Sequence, residues 1–62
     1  MEIKLKLQVE LSKLELDIYR AGKAYNNNHL WLHDAYAREL LGEQIEHMKK
    51  YAYVLENRID IL

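Results

Sequence analysis

The chain has no cysteine and no proline among its 62 residues. Without cysteine, disulfide staples and thiolate metal sites are excluded. Without proline, nothing forces a break in a helix. The only glycines are Gly22 and Gly42, twenty residues apart. A phosphate-cradling glycine loop is therefore absent. Ser12 is the single serine. A nucleophile needs an adjacent base, and an acid–base pair needs a walled pocket. A chain this short rarely builds such a pocket within itself, so it is expected to be non-enzymatic, with no catalytic residue, cofactor or resident metal. Long apolar runs are missing too. None approaches the ~20 residues that a membrane span requires. The N-terminal stretch lacks the contiguous apolar core of a signal peptide. The expectation is a cytoplasmic protein with no membrane partner.

Charge of one sign is also scarce. The formal net charge is −1. Residues 1–25 carry five basic and four acidic side chains, and residues 26–62 carry four and six. This near-balance argues against a strongly electrostatic partner such as bulk nucleic acid or an anionic membrane.

What is present is an apolar half and a charged third of the chain, a mixture that folds rather than staying disordered. One domain, residues 1–62, is the most the length allows. Its core is small, and a chain of this size is marginal without a staple or a partner.

The clearest pattern runs from Arg38 to Leu62. Leu41, Ile45, Met48, Ala52, Leu55, Ile59 and Leu62 recur at alternating spacings of three and four. That spacing places one stripe on one side of a helix and implies packing against another helix, as in a coiled coil. Helix 2 is expected from about Asn28 to Leu62.

Residues 1–25 carry two patterns. At helical spacing, Leu7, Leu11, Leu14, Ile18, Ala21 and Tyr25 form one stripe. Leu5, Val9 and Leu16 fall on nearly the opposite side. At period two, Ile3, Leu5, Leu7, Val9 and Leu11 alternate with polar residues, which is a strand signal. Leu, Lys, Glu and Gln dominate, and this composition favours a helix over about 2–25. Asn26-Asn27-Asn28 then reads as the connector. Gly22 or Asn26 is expected to end the first helix in a left-handed residue. Asn28 is expected to cap the second, with Asp34 as the other candidate.

The fold expected is all-α, a two-helix antiparallel hairpin. The second stripe on helix 1 faces water unless another chain covers it. Leu5, Val9 and Leu16 are therefore expected to form an oligomer interface, joining two hairpins into a homodimeric four-helix bundle.

Other residues stand off both stripes. Leu30, Trp31 and Leu32 would project three ways from one helix, and Tyr36 and Tyr53 lie outside the seam. Trp and Tyr are the usual anchors of protein interfaces. Trp31, Leu32, Tyr36 and Tyr53 are thus the candidate partner-binding residues. The plainer role for Trp31 is to cap the end of the core. The function expected is a small protein–protein interaction module, an adaptor, inhibitor or regulator acting through helix packing on a protein partner.

Three charged groupings give weaker signals. His29 and His33 have the spacing of a shared metal site on a helix, but His47 is too far along to join them. Glu43 and His47 miss the Glu-x-x-His spacing of di-iron bundles. Lys49-Lys50-Tyr51-Ala52-Tyr53 mixes base and aromatic, as single-strand binders do, yet Glu46 and Glu56 flank it.

The alternative function follows from the strand pattern. A strand over residues 3–9 followed by two helices resembles the order of the ribbon-helix-helix DNA-binding repressors. That resemblance implies paired N-terminal strands in the major groove of DNA. Lys4, Lys6 and Gln8 would then face base edges.

Overall fold

The computed structural model describes residues 2–62. An α-helix, α1, spans Ile3–Tyr25. A short 3-10 turn spans Asn28–Trp31. A second helix, α2, spans Ala35–Asp60. The two helices pack against each other as an antiparallel hairpin measuring 46 × 15 × 13 Å. Among the described residues there is no strand.

Residues 3–9 are therefore helical, which corrects the strand reading. The alternation of apolar and polar residues there is real, but it competes with a stripe that continues for five further turns. Leu7 belongs to that stripe and is buried. As a strand, the segment would detach Leu7 from Leu11 and Leu14 and leave them without the rest of their face. The helix keeps all of them on one side.

The two stripes read from spacing are the two faces that meet. Leu7 on α1 and Ile45, Ala52 and Leu55 on α2 are the buried core. Leu11, Leu14, Ile18, Ala21 and Tyr25, with Leu41, Met48 and Ile59, line the same seam at intermediate exposure. Leu55 is the one side chain with no exposure at all among those described. Leu62 ends the seam in sequence but lies past the end of α2 and is exposed.

The connector is longer than the three asparagines. Asn26 is right-handed (φ −85°), and no residue described has the left-handed conformation. Gly22 lies inside α1. Asn27, rather than Asn28, caps the 3-10 turn, its Oδ1 accepting from the His29 amide at 3.2 Å. Asp34 starts α2, its Oδ1 accepting from the Ala37 amide at 3.0 Å. A helix carried through from Asn28 would scatter Leu30, Trp31 and Leu32 around its axis. The break at Asp34 lets Trp31 fold back on α1 instead. One consequence is that the helices nearly match, at 23 and 26 residues, with little overhang.

The antiparallel register is pinned near both ends. Beside the turn, the Tyr25 ring packs on Gly42, and the Arg38 guanidinium lies 4.4 Å from the centre of the same ring. Arg38 Nε also donates to the Tyr25 carbonyl at 3.1 Å. Towards the open end, the Tyr51 hydroxyl donates to the Glu10 carboxylate.

Candidate binding surfaces

Among the described residues the hairpin buries four side chains and leaves many large apolar ones outside. Those exposed side chains make up three surfaces.

The first is the tip. Trp31 is part-buried, and its indole Nε1 donates to the Ala24 carbonyl at 2.8 Å. That carbonyl lies in the last turn of α1 and also accepts from the Asn27 amide at 3.1 Å, so the indole is its second donor. The bond holds the indole across the end of the hairpin. Leu30 and Leu32, on either side of it, point outward, and Leu32 is 69 % exposed. Tyr36, one turn further on, is 68 % exposed. Trp31, Leu32 and Tyr36 thus share one region. Tyr53 does not join them. It lies 17 residues beyond Tyr36, about 25 Å along the helix.

Tyr53 belongs to the second surface, a groove between the helices. Ile18 and Ala52 line it at the seam, with Tyr19 and Tyr53 beside them and Glu15, Lys49 and Glu56 along the rim. Tyr19 and Tyr53 are 60 % and 66 % exposed. Lys23 Nζ sits 5.2 Å from the centre of the Tyr19 ring. The aromatic pair and the mixed charges suit a flat, polar-edged group. Sequence reasoning missed Tyr19. Its signal was there, because Tyr19 extends the spacing of Leu5, Val9 and Leu16. Its nearness to Tyr53 depends on how the helices are aligned, which neither helix specifies alone.

The third surface is the outer side of the helices. Leu5, Val9 and Leu16 are about half exposed on α1. On α2, Leu40, His47, Met48 and Tyr51 line a shallow depression with Glu43 and Gln44. Tyr51 is held there by Glu10. That bond raises the Tyr51 pKa above the ordinary tyrosine value. Partial burial and the Glu10 charge add to the rise, and Arg58 opposes it.

Lys4, Lys6 and Gln8 are exposed on helical turns of α1. They do not lie in a ribbon that fits a DNA groove. His29 lies in the 3-10 turn and His33 follows it, so the two do not share an α-helical face. Among the described residues no group of three or more His, Asp or Glu side chains gathers to hold a metal ion. Among them, too, no helix is long and apolar enough to cross a membrane.

Neither a curated protein nor a solved structure matches the chain. The family model described as Sequestin matches residues 2–61, nearly its full length, and on that match the chain belongs to the Sequestin family.

Proposed function

We propose that this protein is a non-enzymatic binding protein that acts by occupancy. It holds another molecule and alters it in no other way. The family name, which speaks of sequestering, supports this reading. The observation that carries it is the exposure of Leu32, Tyr36, Tyr19 and Tyr53 on a frame of two packed helices. Large apolar groups kept in water at such positions mark contact surfaces.

The partner proposed is a protein that docks on the tip. Leu32 and Tyr36 would enter its surface, and Trp31 would support them from behind. Aromatic anchors next to a fixed backbone lose little entropy on binding. A second reading is favoured by the groove. Tyr19 and Tyr53 would hold a small planar molecule between them, with Lys49 and the rim carboxylates reading its polar edge.

Native mass spectrometry of the protein isolated from the cells that make it separates these readings. A retained polypeptide, lost in Leu32→Ala and Tyr36→Ala, supports the protein partner. A retained small molecule, lost in Tyr19→Ala and Tyr53→Ala, supports the groove. Release of a chemically changed ligand overturns occupancy as the mode of action.

A further inference from the structure

Apart from its core stripe, α2 carries a second stripe on which the hairpin leaves Leu40, His47 and Val54 exposed, while Tyr51 at its inner edge is tied to Glu10 of α1. Tyr36, Leu40, His47, Tyr51 and Val54 recur at near-heptad spacing about a third of a turn away from the seam. Leu40 is 46 % exposed and Val54 48 %. This stripe is longer than the tip patch and, unlike the Tyr19–Tyr53 groove, runs along a single helix.

Its sequence is self-complementary about His47. Leu40 lies seven residues before His47 and Val54 seven after it. Glu43 lies four before and Lys50 three after, both on the same flank of the stripe. A two-fold axis that pairs two antiparallel helices keeps each flank beside its own copy. With the axis at His47, Leu40 of one copy meets Val54 of the other, twice. Glu43 of one copy then faces Lys50 of the other, also twice. Gln44 falls opposite Tyr51 on the inner flank. His47 of the two copies meet at the axis. The Leu40–Val54 contacts flank them on both sides, and one opposite-charge pair repeats on the edge. Flanking apolar contacts with matched edge charges are how antiparallel helix pairs fix their register.

We propose that α2 is the dimerisation helix, and that the occupant of this stripe is a second copy of the chain in antiparallel register about His47. The outer stripe of α1 does not have this property. One of its flanks carries Lys6, Lys13 and Arg20, so two antiparallel copies set face to face would oppose like charges along that edge. The resulting order across the assembly is α1, α2, α2 and α1, with the outer surface of α1 and Leu32 at the tip left free and Tyr36 at the edge of the pair. The inference does not rest on the reading of the bound molecule given above.

Sedimentation equilibrium of the full chain at tens of micromolar tests it. The unmodified protein is expected to be a dimer. Leu40→Glu and Val54→Glu are expected to give monomers whose helical circular dichroism is retained, because both side chains lie outside the hairpin core. E43K places like charges opposite Lys50 and should weaken the dimer several-fold. K50E should do the same from the other side, and E43K with K50E should restore it. A monomeric unmodified chain overturns the proposal. So does a dimer that ignores Leu40→Glu but is split by Leu16→Glu, or a charge swap that fails to restore association.

Discussion

The ring of Tyr25 lies so close to Gly42 that a Cβ built at Gly42 would stand 3.1 Å from the Tyr25 Cε2 atom. Arg38, one turn earlier on α2, stacks on the same ring and bonds to the Tyr25 carbonyl. One aromatic side chain from the end of α1 is thus held by two positions on one face of α2. The absent side chain at Gly42 is what lets the helices close there.

The two glycines should therefore behave oppositely. A Cβ at Gly22 meets nothing within 4 Å. Gly22→Ala is expected to stabilise the hairpin by about 1 kcal/mol, the ordinary helix-propensity gain. Gly42→Ala has the same propensity gain, but it must push aside a ring that Arg38 holds in place. It is expected to leave the protein no more stable than the unmodified chain. Urea denaturation followed by circular dichroism makes the comparison, and equal stabilisation by both substitutions would contradict the packing described.

Leu55 is the most enclosed side chain described, with no exposed surface. Leu55→Ala removes core volume from a hairpin that has little to spare. The expected cost is about 2–5 kcal/mol, comparable with the whole stability of a domain this small. The variant should be largely unfolded at room temperature by circular dichroism. Leu16→Ala, on the outer face of α1, should lose far less.

The indole of Trp31 is tied to the Ala24 carbonyl. Trp31→Phe keeps an aromatic ring and deletes the donor. The expected loss is about 1 kcal/mol, seen as a lower unfolding midpoint, with the Ala24 to Tyr25 turn becoming more open to amide hydrogen exchange. Unchanged exchange in that turn would show that the bond does not hold the tip.

Tyr51 gives a pH dependence. Its hydrogen bond to Glu10 favours the neutral phenol and raises its pKa. The folded state therefore holds this proton more tightly than the unfolded chain, whose tyrosines titrate near ~10. The stabilisation is fully present below that unfolded value and is lost as pH rises through the raised folded one. Glu10→Gln removes the charge that opposes ionisation. NMR titration of the tyrosine rings should show Tyr51 moving down towards the ordinary range. A Tyr51 titration indifferent to Glu10→Gln would contradict the link between the helices.

Much of this protein is determined by spacing along the chain. The stripe from Leu7 to Tyr25 and the seam from Leu41 to Ile59 are local properties. A helix turns every 3.6 residues whatever it packs against, so a reader of the sequence can lay both faces out before knowing that they meet. The tertiary structure decided what local spacing leaves degenerate. Residues 3–9 satisfy both strand and helix periods, and the seam partner on α2 selects the helix by burying Leu7. Asn28 and Asp34 are both good caps, and the return of Trp31 to Ala24 selects Asp34. Gly22 and Gly42 are the same residue in similar helices, and only Tyr25 tells them apart. Tyr19 and Tyr53, or Glu10 and Tyr51, come together through the offset between two helices, a quantity that belongs to their packing and is written in neither one.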